Sequence, residues 1–242
     1  MGWLIGLDWG TSSLRAMLFD GEGGVHETRH RAWGIRQLPQ GGFEAALSSI
    51  CKGWPSCPVL AAGMVGSQQG WHEAPYVDTP VDVHALAARL VTVAAADGRH
   101  IHIVPGVRDG AGPDVMRGEE TQLIGALDAQ PRIAEGTPLV LPGTHSKWVQ
   151  LRRRRISGFT TMMTGELYGV LRTHSILGTS LPDAPAAARN HESFDGGVRA
   201  ARASGSAGVL TRLFSARTLV LEGKLDGAAV PDYLSGLLIG EE

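Results

Sequence analysis

Cysteine is scarce in this chain: Cys51 and Cys57 are the only two among 242 residues. Two thiols flanking "KGWPS" cannot build a disulfide framework, and no histidine stands beside them at zinc-ligand spacing. Reduced, mostly buried thiols are the expectation. Long apolar runs are missing too. None approaches the ~18 residues of a membrane-spanning helix, and no charged-then-apolar leader opens the chain. A soluble cytoplasmic protein with no membrane partner is expected. Charge of one sign is also lacking: 22 Lys and Arg stand against 24 Asp and Glu, a formal net charge of −2. Nothing in that balance favours a nucleic-acid partner. The one basic cluster, "LRRRRI" at 151–156, lies between two strand-like runs and reads as a solvated hairpin turn. No GxxxxGKS/T occurs, which excludes a P-loop, and no GxGxxG opens a helix, which removes the main support for a nicotinamide enzyme.

What is present is globular: 43% hydrophobic and 19% charged residues, with 33 glycines, enough for one large domain or two smaller ones. "WLIGLDWG" and "LRAMLFD" predict a β-hairpin, with a third strand from "GGVHETRHRAWGI". "GGFEAALSSICKGW" has helical spacing and stops before Pro55; "PVLAAGMVGS" predicts a buried strand. "DVHALAARLVTVAAADG" predicts a helix or helix pair stopped by Gly98, then the strand "HIHIVPGV". "GEETQLIGALDAQ" reads as a helix with acids in its first turn, "TPLVLPG" as a strand, and "TGELYGVLRTHSIL" as a helix. "GVRAARASGSAGVLTRLFSAR" reads as one helix, and "DYLSGLLIGEE" starts another. Strands followed by helices, with a hairpin at the front, argue for a mixed α/β protein.

Two stretches share one grammar. "GLDWGTSSLRAMLF" and "VLPGTHSKWVQL" both run apolar strand, Gly-Thr-x-Ser turn, cationic residue, apolar strand. They suggest two related domains facing each other across a cleft. A turn of glycine and hydroxyl residues clusters backbone N–H and O–H donors into a nest suited to phosphate oxygens. Asp8 beside phosphates needs an intervening cation, and Mg²⁺ suits one carboxylate together with phosphate oxygens. Arg15 and Lys147, one after each turn, can neutralise charge on a transferring group. A single such turn is explained as well by an ordinary hairpin satisfying its own backbone; the recurrence, with Asp8 and the cations in matching places, favours the phosphate reading.

"DWGTSSLR" resembles the first phosphate motif of the actin/hexokinase/sugar-kinase superfamily, and "LPGTHSKW" its second. The wording "DVMRGEETQ", "LPGTHSKWV", "MTGELY" and "HSIL" is similar to that of the 2-dehydro-3-deoxygalactonokinase family, over about residues 3 to 240. The resemblance implies an α/β fold of two ribonuclease-H-like (actin-like) domains, mixed sheets flanked by helices, with the active site in the interdomain cleft. Residues 1–110 would form the N-terminal actin-like domain with the substrate loops. Residues 111–242 would form a C-terminal nucleotide-binding domain that is incomplete. The implied activity is ATP-dependent phosphorylation of 2-dehydro-3-deoxy-D-galactonate to its 6-phosphate, with Mg²⁺, in D-galactonate catabolism.

Carried over residue by residue, Asp8, Gly10, Thr11 and Ser12 match the first phosphate motif, and Gly143, Thr144, Ser146 and Lys147 the second. Asp8 would hold Mg²⁺, and His145, inside the second turn, would contact the γ-phosphate. The general base of related kinases follows a glycine at a helix start, a place held here by Gly118-Glu119-Glu120. Glu119 is the first candidate, Glu120 the second and Asp114 the third, against the alternative that they only cap the helix. An anionic keto acid requires a cation for its carboxylate, and Arg108, Arg117 and Arg15 are candidates. "GMVGSQQGW" resembles the sugar-contacting loop, with Gln68 and Gln69 for hydroxyls and Trp71 as a wall or a core aromatic. Members of the family continue past "SGLLIGEE", so a missing adenosine motif and exposed apolar surface are expected, with a homodimer as one consequence. Two other readings stay open: a catalytically weak remnant that binds the sugar acid or serves as a subunit, and an actin-like phosphohydrolase.

Overall fold

The computed structural model describes residues 2–133, 136–180 and 189–242. They divide into two compact units, Met1–Leu139 with Trp148–Thr160, and Val140–Lys147 with Thr161–Glu242. A division at 110/111 was expected; this geometric one instead groups residues 111–139 and the hairpin tip at 148–160 with the N-terminal residues.

The first unit is organised by its opening hairpin. Leu4–Trp9 (β1) and Leu14–Phe19 (β2) alternate buried and open positions, which is the period of a strand with one face in the core. They pair antiparallel with Asp8 opposite Arg15, and Val25–Arg31 (β3) pairs antiparallel on the outer side of β2. Helix Gly42–Ile50 (α1) leads to Val59–Gly63 (β4), which joins β1 in parallel. A 3₁₀ turn at Met64–Gly66 and strand Tyr76–Asp78 (β5) follow. Helix Val83–Ala87 (α2) is capped by Asp82, whose carboxylate accepts the Ala85 N–H at 3.0 Å. Strands Val91–Ala94 (β6) and His100–Ile103 (β7) complete a six-stranded sheet of order β3-β2-β1-β4-β7-β6, in which the β1–β4 and β4–β7 pairings are parallel and the β3–β2, β2–β1 and β7–β6 pairings antiparallel. This is the mixed sheet of the expected ribonuclease-H-like domain.

One expectation fails here. The stretch at 83–97 is not a helix or helix pair beyond α2: Val91, Thr92 and Val93 are β-branched, and they pair with β7 through a turn closed by Gly98 at φ 85. The sheet buries Ile5, Leu7, Trp9, Leu14, Leu18, Val59, Ile101 and Ile103 against Leu47 and Ile50 of α1. Each such side chain contributes about 1.5–3 kcal/mol when fully buried. Cys51 is in this core, where burial pushes its thiol up to about 11; both cysteines are free.

A second, small sheet of order β5-β8-β9 adds Gly106–Arg108 (β8) and Val115–Met116 (β9) and leads into helix Glu119–Ala129 (α3). Leu139–Leu141 (β10), Ser146–Arg152 (β11) and Arg155–Met162 (β12) form a third sheet in that order. The expected hairpin at the arginine cluster is present, with Arg153 (φ 51) and Arg154 (φ 57) both left-handed at its tip. It is more than a solvated turn. Arg154 Nη2 donates to Leu127 O at 2.6 Å, bringing a cation to the last turn of α3, and Arg155 pairs with Asp82 at 3.2 Å.

The second unit is mostly helical: Thr164–His174 (α4), His191–Arg202 (α5), Ser215–Leu221 (α6) and Val230–Glu241 (α7). The single helix expected over 197–217 is instead two. α5 begins earlier, where Asn190 accepts the Ser193 N–H at 3.0 Å, and the chain breaks at Gly205 (φ 55) and Gly208 (φ 72) before α6. α5 and α7 approach closely because small residues face each other: a Cβ on Gly236 would sit 2.0 Å from Phe194 O, and one on Gly197 2.2 Å from Tyr233 O. Leu177, Val209, Tyr233, Leu234 and Leu237 fill the core beside them. No helix among the described residues is long and apolar enough to cross a membrane.

Candidate active site

The first Gly-Thr-x-Ser turn, residues 10–13, is held from within and from behind. Gly10 N–H donates to Ser13 O at 2.9 Å; Ile35 N–H donates to Gly10 O at 3.1 Å and Arg36 N–H to Thr11 O at 3.3 Å. Trp9 Nε1–H donates to Trp33 O at 2.8 Å. The segment 33–36 lies so close that a Cβ on Gly34 would fall 2.2 Å from the Thr11 and Ser12 backbone. With the turn's carbonyls occupied this way, the amides of Thr11, Ser12 and Ser13 find no acceptor among the described residues. Clustered amides without acceptors are the donor set that an anion nest requires. Trp33 and Gly34 were not singled out in the sequence; the "WG" just after β3 is the signal that marks them.

Asp8 and Arg15, opposite each other in the β1–β2 ladder, are both exposed and both line a cavity of about 960 Å³ on the sheet face away from α1. The same cavity reaches Gly118 and Thr121, which bracket the two candidate base residues. Gly118 (φ 110) makes this approach feasible, since its Cβ position lies 3.2 Å from Gly63 Cα at the end of β4. Sequence-distant Asp8, Arg15 and the start of α3 are therefore brought to one place.

Glu119 and Glu120 occupy different environments. Glu119 is half-buried, and its Oε2 accepts the Arg117 N–H at 3.0 Å. Glu120 is fully buried; its carboxylate accepts the Gly118 N–H at 2.7 Å and the Thr121 hydroxyl at 3.1 Å. Burial pushes its pKa up to about 7, only partly offset by those hydrogen bonds. A side chain so enclosed ties down the start of α3 through these two hydrogen bonds. Asp114 accepts the Val115 N–H at 2.8 Å.

The loop after β4 carries Gln68 and Gln69, both exposed. Its ends are closed by Ala74 N–H to Gly66 O and Trp71 N–H to Val65 O, each 2.9 Å. Trp71 stacks on Phe43 (5.7 Å, 9°) and meets Trp9 edge-on, so its ring packs against the core. The remaining arginines differ in availability. Arg108 makes two hydrogen bonds to Asp78, at 2.6 and 3.0 Å, and thereby holds the Asp78 carboxyl below its usual range. Arg117 lies over the Tyr76 ring at 4.4 Å and donates to Ala74 O at 2.8 Å.

The second turn belongs to the other unit. Gly143, Thr144 and His145 are exposed, whereas Ser146 and Lys147 are buried at the start of β11. Lys147 Nζ donates to Thr161 Oγ1 on β12 at 2.6 Å. Here too the amides of Thr144 and His145 find no acceptor among the described residues. Helix α4 braces the turn: Glu166 N–H donates to Thr144 O at 3.0 Å, and Glu166 and His145 join side chains through Oε2 and Nε2. A Cβ on Gly165 would stand 2.6 Å from Gly143 O. Glu166 was not among the candidates; an acid in the first turn of the helix after the hairpin is its signal. No group of three or more His, Cys, Asp or Glu among the described residues is arranged to hold a metal ion unaided. An ion held by one protein carboxylate and by phosphate oxygens is compatible with that donor set.

Comparison with known proteins shows the family. Residues 8–242 match the model of the 2-keto-3-deoxy-galactonokinase family, a span that begins on Asp8. The 2-dehydro-3-deoxygalactonokinase of Escherichia coli K12 is 38% identical over 242 residues, covering 98% of this chain and 78% of that protein. A protein of Rhizobium meliloti strain 1021 assigned the same activity is 39% identical over 250 residues, covering 100% and 79%. A crystal structure of a protein from Sinorhizobium meliloti, also assigned as a 2-dehydro-3-deoxygalactonokinase, superposes with a TM-score of 0.86 at 37% identity, covering 98% of this chain and 78% of that one. The chain belongs to the 2-keto-3-deoxy-galactonokinase family.

Proposed function

We propose that the chain is an ATP-dependent kinase that phosphorylates 2-dehydro-3-deoxy-D-galactonate on its primary hydroxyl, giving the 6-phosphate in D-galactonate catabolism in the cytoplasm. The observation that carries this reading is the pair of turns whose amides, at Thr11, Ser12 and Ser13 and at Thr144 and His145, have no acceptor among the described residues. Family membership supplies the substrate class.

Phosphoryl transfer asks the protein chiefly to position reactants and to neutralise charge. The amides and hydroxyls of Thr11 and Ser12, with Gly10 giving close approach, bind phosphate oxygens in the first turn; Gly143, Thr144, His145 and Ser146 do so in the second. Arg15 offsets developing charge, and Lys147, buried just behind its turn, adds positive potential at short range. Asp8 is the residue that would hold Mg²⁺, which when bound neutralises phosphate charge. Glu119 orients and deprotonates the sugar-acid hydroxyl, with Glu120 fixing the helix start beneath it. Gln68 and Gln69 hydrogen-bond hydroxyls. Arg108, already held by Asp78, is less available to the substrate carboxylate.

The test is ADP release from Mg-ATP with and without the sugar acid, beside Asp8→Ala. Release that requires the sugar acid and is lost in the variant supports the kinase. Sugar-independent release would replace it with a phosphohydrolase, and sugar-acid binding without release would replace it with a binding protein.

A further inference from the structure

We infer that Arg117 is a positioning residue that couples the loop 64–74 to the start of α3, so that the segment carrying Gln68 and Gln69 and the segment carrying Glu119 hold their places together. Its catalytic consequence rests on the kinase reading; its mechanical content does not.

Arg117 reaches both segments at once. Its backbone N–H donates to Glu119 Oε2 at 3.0 Å, while its Nη2 donates to Ala74 O at 2.8 Å, where the loop closes. The guanidinium carbon lies over the Tyr76 ring, 4.4 Å from its centroid. Two glycines make the slot: a Cβ on Gly66 would lie 3.0 Å from Nη1, and one on Gly106 would lie 2.5 Å from the Tyr76 ring. The other ties of the loop are internal hydrogen bonds (Ala74 N–H to Gly66 O, Trp71 N–H to Val65 O, Gly70 N–H to Ser67 O, and Ser67 N–H and Oγ to Met64 O) and the packing of Trp71 on Phe43 and Trp9; none of them reaches α3.

The same guanidinium is poorly satisfied. Nε and Nη1 are buried with no hydrogen-bond partner. Shutting charged donors away from water without acceptors is unfavourable, and an apolar side chain of similar length fills such a slot without that cost. Arg117 is thus a weak device for global stability and a strong one for local geometry, since its planar fork fixes direction as well as distance. The two roles predict different things.

Arg117→Met and Arg117→Lys in the full chain separate them. Without any ligand, thermal unfolding of Arg117→Met is expected within about 3 °C of the parent or above it. Amide exchange is expected to quicken about tenfold in 64–74 and in 117–121 together, with Lys recovering part of the protection. Faster exchange confined to 64–74 would overturn the coupling, as would a fall of more than about 10 °C with exchange raised throughout the first unit. If Arg117→Met does not fold, the Lys variant carries the same comparison. The kinetic arm uses the sugar acid and Mg-ATP. If the parent shows no sugar-dependent ADP release, the kinase reading has failed and the exchange result stands by itself. If it does, Arg117→Met is expected to lower kcat at least about tenfold with the ATP KM within about twofold. A rise in sugar-acid KM alone, with kcat unchanged, would make Arg117 a direct substrate contact and overturn the positioning role.

Discussion

Glu120 offers a test in which pH decides between a buried structural carboxyl and a reactive one. The group is fully buried, and desolvation raises it from 4.5 to about 7. A carboxyl whose folded-state pKa lies above its unfolded value stabilises the protein most below the unfolded value. That stability is lost as pH rises through the folded one, here between about pH 4.5 and 7. The rise corresponds to about 3 kcal/mol of stability surrendered by pH 8. Glu120→Gln removes the ionisation while keeping the shape: its amide oxygen accepts the Gly118 N–H, and its NH₂ donates to the Thr121 hydroxyl oxygen. The expected outcome is near-parental stability at pH 5 and a gain at pH 8 of up to about 3 kcal/mol, roughly 5–10 °C in Tm for a chain of this size. Urea or thermal unfolding at the two pH values reads it directly. Equal destabilisation at both would show that the carboxylate is not held against its own ionisation, and the argument that assigns Glu120 to structure would fail.

Other consequences are as specific. Gly236→Ala places a methyl 2.0 Å from Phe194 O in the α5–α7 contact, where both neighbours are backbone; a loss of about 1–3 kcal/mol is expected by thermal unfolding. Gly165→Ala pushes on Gly143 O from 2.6 Å and is expected to raise the ATP KM at least about tenfold, with little change in the sugar-acid KM, in steady-state kinetics. Arg108→Ala is expected to leave the sugar-acid KM within about twofold, because its guanidinium is committed to Asp78; a large rise would return Arg108 to the substrate site.

Much of this protein was legible in its residues because local rules and the fold agree. The alternation in β1 and β2, the apolar run of β4 and the acidic start of α3 each read correctly, since tertiary packing reinforces the local preference there. Residues 91–94 misread because alanines and leucines before them suggested a helix, while the β-branched "VTV" decided in favour of pairing with β7. The break at Gly205–Gly208 misread because alanines on both sides concealed it. At the site, the two Gly-Thr-x-Ser turns were visible as a repeated pattern. Their braces were not: Gly34 behind the first and Gly165 and Glu166 behind the second are distant in sequence, and only the folded chain shows that no side chain fits there. The split between Glu119 and Glu120 was also hidden, because adjacent helical positions point in different directions and burial alone separates them. Arg108 looked as available as Arg15 until its pairing with Asp78 was seen.

The most direct test of the central claim is the fate of the γ-phosphate of ATP, followed by ³¹P NMR in the presence of Mg²⁺ and 2-dehydro-3-deoxy-D-galactonate. A new phosphomonoester signal coupled to the C6 protons, growing in step with ADP and absent with Asp8→Ala, is the predicted result. Inorganic phosphate as the sole product, or an unchanged ATP spectrum from the folded protein, would contradict it.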